Sequence, residues 1–191
     1  IDALSTQQRL RIVSVTSANP GEGKSMASIN LAVVTAMSVG RKVLLVDCDL
    51  RRPKVHTTPG LEPASGLAEV LLVTSTFNES VMRVEPVGLD VLAVRSLPGN
   101  PSELLASAQM KNLLAMLSDT YDQIILDTPA CLGLPDAKTV SELSDGIILV
   151  VRANATRRDD VETILEILDR RRLIGMILNG VEATRGQYGY Y

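Results

Sequence analysis

Eight residues, Ala18-Asn19-Pro20-Gly21-Glu22-Gly23-Lys24-Ser25, stand between an apolar run and a helical pattern, and they constrain the fold more than any other stretch of the chain. Upstream, Leu10 to Ser17 alternates and then runs apolar, which reads as a strand. Asn19-Pro20-Gly21-Glu22-Gly23 is turn chemistry. Downstream, Lys24 to Val39 carries Met26, Ile29, Val33 and Met37 at helical spacing, with Gly40 as the residue that stops the helix. Lys42 to Asp47 then supplies Val43-Leu44-Leu45-Val46, an unbroken apolar run of the kind that a parallel strand covered on both faces requires. A chain that opens as strand, turn, helix and strand is expected to build an α/β fold, with a mostly parallel sheet flanked by helices on both faces.

The alternation continues with strands expected at Leu89 to Val94, Gln123 to Asp127, Gly146 to Val151 and Leu173 to Leu178. Two helices are well marked between them. Asn100-Pro101-Ser102-Glu103 has an N-cap type, Pro in the first helical position and an acid near the third, and Val161 to Leu168 is amphipathic. A length of 191 residues with 46% hydrophobic content suits one domain, taken as residues 1–183. Residues 184–191, which hold Gly-Gln-Tyr-Gly-Tyr-Tyr, read as a flexible tail.

The spacing of the eight-residue segment fits a P-loop, with Ala18 in place of the first glycine. Glycines let successive backbone amides turn inward on a phosphate, and the helix starting near Lys24 aims its positive end at the same point. Lys24 adds a point charge near the β- and γ-phosphates. Ser25 offers a hydroxyl to Mg²⁺, a cation that prefers oxygen ligands and keeps several waters.

Asp47-Cys48-Asp49 closes the second strand, so the two carboxylates share one face and Cys48 points to the other. Open α/β sheets bind ligands at the carboxyl ends of their strands, which places both acids on the edge that carries the glycine loop. Without a cation the pair would repel, and one member would take up a proton. A turn before Arg51-Arg52-Pro53, capped by the same two side chains, is the alternative reading. Asp127 ends the apolar strand Ile124-Ile125-Leu126 before Thr128-Pro129, as expected of a carboxylate that orients the water shell of Mg²⁺.

Several partner classes are disfavoured. A net charge of −3 lacks the basic excess of a nucleic-acid binder, and 3% aromatic residues leave little for base stacking. Cys48 and Cys131 form neither a disulfide scaffold nor a metal-ligand pattern and suit a reducing compartment. No run approaches the roughly 20 apolar residues that a spanning helix needs, so the chain is expected to be soluble. His56 has no ligand-type partner at useful spacing, and Arg157-Arg158 and Arg170-Arg171-Arg172 read as solvated helix ends.

Taken together, Thr16 to Ser25, Val43 to Pro53 with its Asp-x-Asp-x-Arg pattern, and Ile124 to Pro129 resemble the Walker A, A′ and B segments of the bacterial tyrosine kinases (BY-kinases). These enzymes of capsule and exopolysaccharide assembly are built on a MinD/ParA-like P-loop fold. Asn100 to Leu105, Asp136-Ala137 and Gly175 to Asn179 are similar as well. The resemblance implies ATP contacts from Asn19, Pro20, Gly21, Glu22, Gly23, Lys24, Ser25 and Met26, and an adenine contact from Asn179, whose alternative is an Asn-Gly turn with Gly180. It implies that Lys24 stabilises the transferring phosphoryl group, Asp47 accepts the proton of the acceptor hydroxyl, Ser25 and Asp127 hold Mg²⁺, the latter through water, and Asp49 assists metal or hydroxyl positioning. Arg51 would pair with phosphate or a neighbouring carboxylate, or stay in solvent.

Of the four tyrosines, Tyr188, Tyr190 and Tyr191 crowd the carboxyl end, where the family carries its autophosphorylation cluster. Self-association as a ring or dimer, a membrane-anchored activator fused or separate, a cognate tyrosine phosphatase and a location at the inner face of the plasma membrane follow from the resemblance, and a flexible tail of about ten residues, reaching about 15–20 Å, makes phosphorylation in trans the expectation. The chain departs from the family pattern at Ala130 and Cys131, and its amino end lacks a Glu-x-x-Arg-x-Arg stretch. A ParA/MinD-like ATPase switch or a nucleotide-dependent scaffold would use the same pocket, although Asn19 stands where the ATPases carry an extra lysine.

Overall fold

A computed structural model describes residues 10–38, 40–57 and 61–182. Seven strands form one sheet: β1 (Ile12–Ser17), β2 (Val43–Asp47), β3 (Met82–Val84), β4 (Leu89–Leu92), β5 (Gln123–Asp127), β6 (Gly146–Arg152) and β7 (Leu173–Asn179). Their order is β3-β4-β2-β5-β1-β6-β7. All neighbours are parallel except β3 and β4, which pair antiparallel at one edge. The sheet is therefore mostly parallel, as the apolar runs predict. Strand β5 has the predicted bounds, whereas β3 was not anticipated: three residues centred on Arg83, at an edge, carry no periodic signal.

Side-chain parity on β2 builds the two faces. Leu44, Val46 and Cys48 join Ile124 and Leu126 of β5 in a cluster covered by α2 (Leu67–Leu71), α4 (Pro101–Ala106) and α5 (Ala108–Ser118). Val43 and Leu45 face the other way with Val13, Val15 and Ile125, against α1 (Lys24–Ala36). The short helices α3 (Phe77–Ser80) and α6 (Asp136–Ser141) and the amphipathic α7 (Arg158–Ile167) complete the layers. Helix α5 buries Met110, Leu113, Leu114 and Leu117, an i, i+3, i+4, i+7 stripe.

The buried face of α1 is the expected one only in part: Ile29 and Val33 pack against the sheet, but Met26 and Met37 do not. Lys24, Ser28 and Ala32 are buried, while Met26 and Met37 are 61% and 70% exposed. A helix that begins under a phosphate loop must turn its first charged and small polar residues toward the strand ends, and Ser28 and Ala32 are small enough to let it lie close to the sheet. It also stops at Ala36, with Gly40 further on at φ +78. Among the described residues no helix is long and apolar enough to cross a membrane.

Leu126, on the central strand β5 and fully buried, anchors one sheet face. Leu126→Ala should lower unfolding stability by about 2–5 kcal/mol, measured by urea denaturation.

Candidate active site

The carboxyl ends of β1, β2 and β5 lie side by side, and Asp47 and Asp127 are register partners across β2 and β5. The parity that sends Cys48 into the opposite core brings Asp47, Asp49 and Asp127 toward the amino end of α1, as the strand alternation predicts. The loop after β1 turns on Gly21 at φ +84 and Gly23 at φ +97, backbone conformations that side-chain-bearing residues rarely adopt. A Cβ on Gly23 would also lie 2.0 Å from the side-chain nitrogen of Asn179.

Lys24 and Asp49 form a largely buried ion pair, Nζ to Oδ2 at 3.0 Å, with the Ser25 hydroxyl 3.4 Å from the same ammonium. The other oxygen of Asp49 accepts the Arg52 amide at 3.0 Å. Asp47 is fully buried. Its Oδ1 accepts the Asp49 amide, and its Oδ2 accepts the amides of Lys54 and Val55, at 3.0 to 3.1 Å. Asp47 thus caps the turn, whereas in Asp49 the turn capping and the approach to the loop, posed above as alternatives, coexist.

Asp127 Oδ1 accepts the Ser28 hydroxyl at 3.1 Å, whereas its Oδ2 is buried with no hydrogen-bond partner. Burial, then repulsion from Asp127, pushes the Asp47 carboxyl up to about 7 against the pull of its amide donors. Burial likewise raises Asp127 to about 6, although Lys24, Ser25 and Ser28 draw it down. The free protein therefore holds more acid in one place than its single ammonium neutralises.

No group of three or more His, Cys, Asp or Glu among the described residues is set out to hold a metal by itself. A mixed oxygen set is nevertheless present in the Ser25 hydroxyl, Asp49 and the orphaned oxygen of Asp127. Hard oxygen donors that leave room for water and phosphate fit Mg²⁺.

A cleft of about 750 Å³ opens over this cluster, lined by Pro20, Gly21, Lys24, Ser25, Asp49 and Arg51 among others. Gly23 and Met26 line it too. A hollow of about 760 Å³ beside Pro53, His56 and Leu97 is as large, but it has neither the glycine loop nor the acids, so chemistry rather than size selects the site.

Asn19, Glu22 and Asn179 do not line the cleft. Their side chains lie behind the loop, where Asn179 Nδ2 donates to the Glu22 carbonyl at 2.9 Å. Asn179 is the last residue of β7, and Gly180 follows it at φ +71. Arg51 pairs with the buried Asp136, Nε to Oδ2 at 2.7 Å, and reaches the Ser102 hydroxyl at 2.9 Å. This contact joins the three stretches around Arg51, Asn100 and Asp136 that the sequence shows as separate. Ser28, Thr156 and Asp160 also support the site and were missed, because they lie outside the recognised segments and carry no spacing signal of their own. Tyr188, Tyr190 and Tyr191 lie outside the described residues.

The raised carboxyls set a pH dependence. A folded-state pKa above the ordinary 3.8 means that the folded protein holds these protons more tightly than the unfolded chain. Without a cation, stability should therefore fall as pH rises from about 4 to about 7. Asp127→Asn removes the charge and keeps an acceptor for Ser28. It should flatten that slope and raise Tm near pH 8 by about 2–8 °C, read by calorimetry across pH.

Comparison with known proteins agrees with this geometry. A family profile described as an AAA domain matches residues 10–173. The tyrosine-protein kinase YwqD of Bacillus subtilis is 41% identical over 194 residues, covering 100% of this chain and 81% of that protein. The tyrosine-protein kinase etk of Escherichia coli is 36% identical over 89% of this chain but only 24% of its own length, so the chain spans about a quarter of its longer relatives. Among solved structures, the kinase domain of the E. coli tyrosine kinase ETK superposes with a TM-score of 0.88 at 34% identity, covering 99% of this chain and 77% of that one. The cell division ATPase MinD of Pyrococcus furiosus superposes at 0.73 with 25% identity, covering 88% of this chain and 71% of that one. The chain belongs to the bacterial tyrosine-protein kinase family, on the MinD/ParA-like P-loop fold.

Proposed function

We propose that this chain transfers the γ-phosphoryl group of ATP to tyrosine hydroxyls, with Tyr188, Tyr190 and Tyr191 as its own acceptors in trans, and that it serves the regulation of capsule or exopolysaccharide synthesis. The observation that carries this reading is the orphaned, buried oxygen of Asp127 beside Lys24 and Ser25 at the root of the glycine loop. It is an anionic acceptor that the protein leaves unmatched, set where a triphosphate and its cation would lie.

Amides of the loop around Gly21 to Ser25 would receive the phosphates, aided by the positive end of α1. Lys24 would exchange Asp49 for the β- and γ-phosphates and stabilise the charge that develops on the transferring group. Mg²⁺, held by Ser25, Asp49 and the water-bridged Asp127, would supply charge neutralisation between the phosphates.

Once released by Lys24, Asp49 Oδ2 lies on the cleft wall and would orient the tyrosine hydroxyl. Asp47, which the resemblance names as proton acceptor, is shut off from the cleft by burial and by its three amide donors. In this conformation it acts on the proton through its charge behind Asp49. The phenolic oxygen forms a bond to the γ-phosphorus, the bond to the β–γ bridging oxygen breaks, ADP leaves, and the phenolic proton passes to Asp49 Oδ2.

By family, the chain works at the inner face of the plasma membrane with a membrane-anchored activator, fused or separate. Self-association brings a neighbour's tyrosines to the cleft, and a tyrosine phosphatase resets them.

Incubation with Mg-ATP should yield phosphotyrosine. Lys24→Met should reduce the rate by about 10²–10³. Changing Tyr188, Tyr190 and Tyr191 to Phe should abolish self-labelling and leave Mg-ATP affinity unchanged. ATP hydrolysis with no labelling of wild type would instead favour the ATPase switch.

A further inference from the structure

The phosphate loop is held from behind by side chains that no motif marks. Glu22 is only 4% exposed. Its Oε2 accepts the Asn19 amide at 3.0 Å, and its Oε1 accepts the Thr156 hydroxyl at 2.6 Å and the Asn19 side-chain amide at 3.4 Å. Thr156 is fixed in turn, because its oxygen accepts the Arg152 amide at 2.8 Å. The Asn19 amide group also donates to Asp160 Oδ2 at 2.9 Å. Arg152 Nη1 reaches the Gly21 carbonyl at 3.1 Å. The loop after β6 and the first turn of α7 thus grip the phosphate loop at Asn19 and Glu22.

A carboxylate inside a loop that must accept a triphosphate is a hazard. Turned toward the cleft, Glu22 would repel the phosphates across a few ångströms in a site of low dielectric. Turned away and hydrogen-bonded, it instead closes the loop on itself through Asn19. Thr156 supplies the hydroxyl that decides between these positions, and Asp160 holds the amide that completes the closure.

We propose that Thr156 and Asp160 are positioning residues for nucleotide binding. They pin Glu22 and Asn19 behind the loop, keep the Glu22 charge out of the cleft and fix the amides that face the phosphates. The inference rests on reading the cleft as the nucleotide site.

The test compares Thr156→Val, Thr156→Ser and Asp160→Ala with wild type in the full chain, by calorimetric titration with Mg-ADP and by the KM and kcat of self-phosphorylation. Thr156→Val should weaken Mg-ADP binding and raise KM by about tenfold, the loss expected for a hydrogen bond to a charged group. Its kcat at saturating ATP should stay within about twofold. Thr156→Ser restores the hydroxyl and should return both values to near wild type, and Asp160→Ala should show a smaller loss of the same kind. Unchanged affinity in Thr156→Val and Asp160→Ala would overturn the proposal, as would equal losses in Thr156→Val and Thr156→Ser, which would indicate packing alone. Should Thr156→Val fail to fold, Asp160→Ala, at a partly exposed position, decides by the same readings. Absence of Mg-ADP binding by wild type would instead refute the nucleotide site itself.

Discussion

Three carboxylates and one ammonium share the buried ends of adjacent strands, and the rest of the site is arranged around that imbalance. Two like charges about 4 Å apart repel by about 4 kcal/mol even at an effective dielectric of 20. The protein meets this cost with directed donors: three amides on Asp47, an amide and Lys24 on Asp49, and a hydroxyl on Asp127. One oxygen of Asp127 is left without a donor. An apolar trio of the same shape would leave those donors and the Lys24 ammonium without acceptors and would have nothing to offer a cation or a phosphate.

Much of this arrangement was legible before any coordinates. The apolar runs mark the parallel strands because a strand buried on both faces is mostly apolar, even though β1 also buries Ser14, Thr16 and Ser17, and strand parity predicts that Asp47 and Asp49 oppose Cys48. Strand β3 escapes because a three-residue edge strand is defined by its partner and not by its own pattern. The face of α1 was legible only in part, for a related reason, with Ile29 and Val33 packed on the sheet as expected. Hydrophobicity points to Met26 and Met37, but the approach of the helix to the sheet and the needs of the loop bury Lys24, Ser28 and Ala32.

Within the site, the glycines, Lys24 and the acids declare themselves by spacing, whereas their supports do not. Thr156 reaches Glu22, and Arg51 reaches Asp136, only through tertiary folding, so their importance is invisible along the chain. Asn179, read as a possible adenine contact or a turn residue, proves to touch the phosphate loop from behind while closing β7. The end of β7 therefore abuts the nucleotide loop.

The central claim is that this acidic cluster is completed by a cation together with a nucleotide. The most direct measurement is the thermal midpoint of the wild-type chain with ADP and Mg²⁺, compared with ADP and a chelator. Ligand that binds only the folded state raises the midpoint by mass action, by about 2.7 kcal/mol of stability at a hundredfold excess over Kd. The account predicts a clear rise with Mg²⁺ and little without it. An unchanged midpoint under both conditions would contradict it.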